Sequence, residues 1–336
     1  MTSVKDSVIA HSDLTDCLLL DAAKQFVIKN CTPNRITKPV VGICWNFKQS
    51  GIFTPMIDTA LRKHGAIPLR FEYMPDDVNP ELLSREVEHL IGEVEAAKPQ
   101  EMLSIPHEIL KRAGARSEIA RIKVRAENYL KQCDGLALPG GLDIEPEYYQ
   151  ERRGAETFSD PDPRRSVTEF ALLSVAHQNK IPTMGTCRGS QLINIYFGGT
   201  LKQHVPGQSG LQRMEFTDSS RKDWMRALVG DGFHGYSAHH QASDRMGKEL
   251  EVVMQAEGVK KFFISRDGNF IGSQIHPEIH PSLEEETEMI KNLLLKTGIE
   301  PDAELKNRLA FYEKTIQGNK NIYKFFMEKT ARRTSL

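Results

Sequence analysis

The chain has 336 residues, 39% hydrophobic and 26% charged, enough to bury a full core in one large domain or one domain with additions. Its 44 basic side chains nearly cancel 45 acidic ones, and no long block of one sign occurs. No apolar run approaches the roughly 20 residues of a membrane span. A nucleic-acid surface, a polybasic anchor and a transmembrane protein are therefore disfavoured, and small-molecule chemistry is expected.

The polar start Met1-Thr-Ser-Val-Lys-Asp6 lacks the plan of a secretory signal, so a cytoplasmic address is expected. The five cysteines, Cys17, Cys31, Cys44, Cys133 and Cys187, are an odd count without any C-x-x-C, which favours free thiols over a disulfide framework or a zinc ribbon. Cys44 and Cys133 lie in or beside apolar runs and read as core fillers.

Residues 1–38 read as an extension with one helix from Ser12 to about Lys29. Pro39-Val-Val-Gly-Ile-Cys-Trp45 is the kind of continuous apolar run that a parallel strand buried on both faces requires. Thr54 to His64 then reads as a helix and Ala66 to Tyr73 as a strand, and this alternation predicts a doubly wound, mostly parallel α/β sheet with helices on both faces. Over 75–132 the alternation stops for a helical insertion with two periodic patterns, one through Leu83, Val87, Leu90, Ile91 and Val94, the other through Ile119, Ile122, Ala126, Tyr129 and Leu130. Gly135-Leu-Ala-Leu-Pro139 resumes the sheet, and Asp162 with Pro163 starts the next helix. The main domain is expected over 39–298, with short strands at Glu251 to Ala256, Lys260 to Arg266 and Phe270 to Ile275. A C-terminal helical extension follows over 299–336, where Leu305, Leu309, Tyr312 and Ile316 form a stripe.

The most informative position is Cys187, at the junction of a buried-strand run, Ile181 to Thr186, with a helix-like run beginning at Gly189. On such a turn a side chain stands over the sheet edge while the helix N-terminus aims free N–H groups at it, favouring a thiolate and a developing oxyanion. A second strand delivers His276-Pro-Glu278, where alternate residues of an extended chain face one way, so Glu278 can hold the His276 imidazole in the useful tautomer. The Arg188 N–H and one from Gly140-Gly141 are candidate oxyanion donors. Read singly, Pro139-Gly-Gly141 could be a turn and Cys187 a buried thiol; together with the distant His-Pro-Glu they make a nucleophile, base and orienting acid.

Gly235-Tyr-Ser-Ala-His-His-Gln-Ala242 concentrates hydrogen-bonding side chains that could grip a substrate or form a polar loop. His239, His240, His276 and His280 lack the spacing of a metal site, and no glycine-rich phosphate loop is present, so neither a metal nor a nucleotide cofactor is expected.

Four ordered segments together resemble the class I glutamine amidotransferase superfamily, and within it the peptidase C26 branch that includes the gamma-glutamyl-gamma-aminobutyrate hydrolases. They are Leu138-Pro-Gly-Gly-Leu-Asp-Ile-Glu-Pro-Glu-Tyr148, Gly185-Thr-Cys-Arg-Gly-Ser-Gln191 with Gly198-Gly-Thr-Leu-Lys-Gln203, Ser237-Ala-His-His-Gln241, and Gly272-Ser-Gln-Ile-His-Pro-Glu278. The resemblance implies Cys187 as nucleophile, His276 as base and then acid, and Glu278 as orienter. It further implies an oxyanion hole from the Gly141 and Arg188 N–H groups, and Gln191, Ser237, His239 and Gln241 near a glutamyl moiety. Thr186, Tyr236 and Ile275 depart from the branch's usual wording without removing a reactive group.

The expected activity is cleavage of a small gamma-glutamyl conjugate through a gamma-glutamyl thioester. The rivals are a glutaminase that passes ammonia to a partner, and a binding or regulatory protein on the same fold. The helical insertion and the terminal helices are the surfaces expected to meet a protein partner or a second copy.

Overall fold

The computed structural model describes residues 38–45, 53–72, 78–97, 104–152 and 162–334. The helix expected over Ser12 to Lys29 lies outside them, as do Cys17 and Cys31. The first strand is β1 (Val40–Trp45), followed by helix α1 (Phe53–Lys63) and β2 (Ile67–Glu72). Three helices come next, α2 (Pro80–Ala96), α3 (Ile105–Arg112) and α4 (Glu118–Leu130), then β3 (Gly135–Leu138), α5 (Pro163–Gln178), β4 (Thr183–Thr186) and α6 (Arg188–Tyr196).

Short strands β5 (Leu201–Lys202), β6 (Ser209–Arg213) and β7 (Glu215–Phe216) precede α7 (Lys222–Val229). β8 (His234–Ala238), β9 (Ala242–Ser243), β10 (Leu250–Ala256), β11 (Val259–Ser265) and β12 (Phe270–Ser273) follow, and the chain closes with α8 (His280–Thr297) and α9 (Ala303–Thr334).

Eight strands form one sheet in the order β2-β1-β3-β4-β12-β11-β10-β7. The pairs from β2 through β12 are parallel, and β11, β10 and β7 add an antiparallel edge. Two hydrophobic cores cover the two faces. Along β1, Cys44 enters one core while Val41 and Ile43 enter the other, and along β3 Leu136 and Leu138 part from Ala137 in the same way. This period-two partition between two apolar layers is why the strand runs look continuously hydrophobic.

The first core collects α2 to α6. The second collects α1, α7 and the C-terminal half of α9, whose Ile322, Tyr323 and Phe326 are fully buried.

Two patterns were expected between β2 and β3, and three helices are present among the described residues. α3 escapes a periodicity reading because its eight residues give only about two turns. Each of the three has a capping side chain: Asn79 accepts from the N–H groups of Glu81 and Leu82, Ser104 from His107, and Ser117 from Ala120.

The segment around Ser237, open to reading as a polar loop, is in part a strand. β8 pairs antiparallel with β6, from Ser209 opposite Ala238 to Arg213 opposite His234. Histidine, glycine and serine are weak strand formers, so the pairing comes from the partner strand rather than from local propensity.

Candidate active site

The carboxyl ends of β3, β4 and β12 meet at the middle of the parallel sheet, where an open α/β fold places its ligands. Cys187 follows β4 as the residue before α6, with φ 50° and ψ −110°. A non-glycine residue here stores on the order of 1–3 kcal/mol of strain. Its surroundings hold it: the Cys187 N–H donates to the Ser273 carbonyl at 2.7 Å, and its own carbonyl accepts from the N–H groups of Ser190 and Gln191.

The sharp turn needs glycine behind it. A Cβ on Gly189 would stand 2.2 Å from the Leu138 carbonyl oxygen, so only glycine lets α6 lie this close to β3.

His276 follows β12 and is fully buried. Its Nδ1 lies 2.8 Å from Glu278 Oε1, and Nε2 has no hydrogen-bond partner within the protein among the described residues. An extended chain was expected to bring the two side chains to one face. Instead Pro277–Ile279 is a 3-10 turn, and β12 ends at Ser273 rather than Ile275. The proline favours this turn, and it brings imidazole and carboxylate together over two residues.

The Phe53 ring stacks on the imidazole with centroids 4.0 Å apart, and Tyr236 meets it edge-on at 6.3 Å. Burial disfavours the imidazolium, but the Glu278 carboxylate and then the Cys187 sulfur, both close to the ring, outweigh it and push the pKa up to about 10. Cys187 and His276 converge on Gly140: a Cβ built there would be 3.4 Å from both Cys187 Cβ and His276 Cε1, and 3.9 Å from the sulfur.

The backbone after β3 is fixed from beneath. Buried Arg165 donates through Nη2 to the Gly140 carbonyl at 2.8 Å, and through Nε to Glu169 at 3.0 Å. Glu169 also accepts from Nη1 of buried Arg188, whose Nη2 donates to Ser166 Oγ at 2.9 Å. Because a trans peptide sets its C=O and N–H on opposite sides, anchoring the Gly140 carbonyl turns the Gly141 N–H away from Arg165. Gly141 adopts φ 144°, a region L side chains rarely adopt. The Arg188 N–H, first in α6, has no intrahelical partner and is available as a second donor.

The other expected residues divide by role. Gln191 braces the site, donating to the Gln241 carbonyl at 2.9 Å and to Gln274 Oε1 at 3.1 Å. The buried Gln241 side-chain amide has no partner among the described residues. Ser237 Oγ and His239 Nε2 each lie 2.9 Å from Lys261 Nζ. His240 Nε2 meets Asp143 Oδ1 at 2.9 Å.

Sequence reasoning missed Phe53, Arg165, Glu169 and Lys261. Arg165 and Glu169 carried a faint signal as an i, i+4 opposite-charge pair. Lys261, inside an apolar strand run, carried none. Cys44 and Cys133 are buried and outside any disulfide, as expected. Among the described residues no His, Cys, Asp or Glu cluster could hold a metal ion, and no helix is long and apolar enough to cross a membrane.

A candidate glutamine amidotransferase of Mycobacterium tuberculosis is 34% identical over 161 residues, covering 44% of this chain and 52% of that protein. The gamma-glutamyl-gamma-aminobutyrate hydrolase of Escherichia coli K12 is 34% identical over 86 residues, 25% of this chain and 33% of the relative. The matched segment thus spans only a third to a half of these relatives' own lengths. The crystal structure of a Thermotoga maritima glutamine amidotransferase aligns with 88% of this chain and 99% of its own at a TM-score of 0.50 and 16% identity, a likeness of fold. The peptidase C26 family model matches residues 93–278, a stretch that holds Cys187, His276 and Glu278, and the chain belongs to that family.

Proposed function

We propose that the protein is a cysteine-dependent hydrolase of gamma-glutamyl amide bonds in small conjugates. The observation that carries this reading is the convergence of Cys187, on its strained turn, with the buried His276–Glu278 pair beside Gly140. Family membership supports the coarser class of hydrolase or amidotransferase chemistry.

In the proposed reaction the Cys187 thiolate attacks the gamma-carbonyl, and the Gly141 and Arg188 N–H groups receive the oxyanion. His276 protonates the departing amine through Nε2, leaving a gamma-glutamyl thioester. It then takes a proton from the water that cleaves the thioester, releasing glutamate and restoring the sulfur. Glu278 holds Nδ1–H and balances the imidazolium.

The test is turnover of purified protein with gamma-glutamyl-gamma-aminobutyrate and with glutamine. Release of glutamate from the conjugate by the protein alone is expected. Turnover of glutamine alone, and only with an added acceptor protein, would replace this reading with an ammonia-delivering amidotransferase, the class named for the Mycobacterium relative. A Cys187 that neither turns over substrate nor is labelled by a glutamine-like electrophile would indicate a binding protein.

A further inference from the structure

Lys261 sits in surroundings that a buried cation rarely tolerates. Its side chain is fully buried, and its ammonium meets Gln208 Oε1 at 2.6 Å, Gln212 Oε1 at 2.7 Å, and Ser237 Oγ and His239 Nε2 at 2.9 Å each. All four partners are neutral. His239 Nδ1 lies 2.8 Å from the Gln241 carbonyl, which can only accept, so Nδ1 carries the proton and Nε2 offers its lone pair to Lys261. Burial, and then Lys261 itself, holds the His239 pKa down at about 3, which keeps the ring neutral near neutral pH.

Among the described residues no carboxylate comes within ion-pair distance of Lys261. A buried ammonium without an anion is costly, and burial brings the Lys261 pKa down to about 8 against weaker support from Glu257 and Cys187. The other cations of the site are compensated: Arg165 and Arg188 by Glu169, and His276 by Glu278.

The charge is also coupled to the reacting cysteine, whose sulfur is one of the two groups that favour the Lys261 ammonium. Ser237 and His239 flank Ala238, whose carbonyl oxygen is 3.9 Å from Cys187 Sγ. An ammonium that draws in the lone pairs of Ser237 and His239 leaves the Ser237 O–H to donate elsewhere, so the positive potential reaches the pocket through oriented dipoles.

We propose that Lys261 forms the cationic floor of the pocket beside Cys187 and selects substrates that carry a free carboxylate near the scissile bond. Lys261 is thereby a specificity-determining residue, and the anion it lacks in the protein is supplied by the substrate. The proposal rests on Cys187 as the nucleophile. In a gamma-glutamyl conjugate the carboxylate can come from the glutamyl alpha-carbon or from the leaving amine.

The first experiment needs no turnover. The ratio of Cys187 alkylation by anionic iodoacetate to that by neutral iodoacetamide is measured in the full chain and in Lys261→Met and Lys261→Gln, with folding checked by circular dichroism. The wild-type ratio is expected to exceed that of a free thiol and to fall roughly tenfold in the neutral variants. A ratio unchanged within about twofold in a folded neutral variant overturns the proposal. Where neither variant folds, a wild-type ratio no higher than that of a free thiol overturns it.

The second experiment compares kcat/KM for gamma-glutamyl-gamma-aminobutyrate, its alpha-carboxamide and gamma-glutamyl-butylamine. Loss of the alpha-carboxylate penalty in Lys261→Met assigns the glutamyl group, loss of the butylamine penalty assigns the leaving amine, and loss of neither refutes the selection. A tenfold change in the alkylation ratio in a protein that hydrolyses none of the three would uphold the cationic floor and refute the hydrolase reading.

Discussion

Replacing Glu169 by Gln should be among the most damaging single changes away from the reacting atoms. Its carboxylate is fully buried and accepts from both Arg165 Nε and Arg188 Nη1, so one anion serves two buried guanidinium ions. Glutamine keeps the shape but removes the charge and turns an N–H donor toward a guanidinium. Breaking a buried ion pair from one side costs about 3–5 kcal/mol, because the partner's charge stays buried and uncompensated. For a chain of this size that lowers the thermal midpoint by roughly 4–7 °C.

The effect should reach activity as well. Arg165 holds the Gly140 carbonyl at 2.8 Å, and with it the direction of the Gly141 N–H. A loosened donor should lower kcat by about tenfold or more while leaving KM nearly unchanged, since losing one oxyanion donor outright costs about 10²–10³. Urea and thermal unfolding of wild type and Glu169→Gln at pH 7.5, with kinetics on the same samples, is the assay. A stability loss below about 1 kcal/mol would refute the claim that this carboxylate compensates both arginines.

Cys187→Gly should abolish turnover yet raise stability by about 1 kcal/mol, because glycine relieves the φ of 50°; a stability loss would count against strain at this turn. Burial raises the Glu145 pKa from 4.5 to about 7, although Ser166 donates to it, so the folded protein disfavours its ionised form by roughly 3 kcal/mol once the pH exceeds 7. Glu145→Gln should therefore stabilise the protein at pH 8 and have little effect at pH 4, as read by urea midpoints at the two values. Glu278→Gln should cut kcat by about 10²–10⁴ through a misoriented imidazole. Since the His276 pKa is raised to about 10, its contribution to stability is complete below about 6.5 and is lost as pH rises through 10. The stability gap between wild type and Glu278→Gln should accordingly narrow from pH 6.5 to pH 10.5, and a gap that widens would contradict the sign.

Several features were legible in the residues alone because they depend on local chemistry. The apolar runs at Val40–Trp45 and Gly135–Leu138 announce strands covered on both faces, and Asp162-Pro163 announces a helix start. Cys187 before a glycine-containing helix start, and His276 two residues before Glu278, name the reacting groups by their place in the chain, although the 3-10 turn that joins His276 to Glu278 was not legible there. Only the fold decides what neighbours approach from distant segments. The ring of Phe53 on His276, the pairing of β8 with β6 over the Ser237 segment, and the anchoring of Gly140 by Arg165 join segments separated by tens to hundreds of residues.

Lys261 shows the division most plainly. Its place in the strand can be read from the flanking valine and phenylalanines, whereas its burial among four neutral partners depends on residues 22 to 53 positions away. Periodicity records which way a side chain points, and it carries no record of which dipoles meet it there.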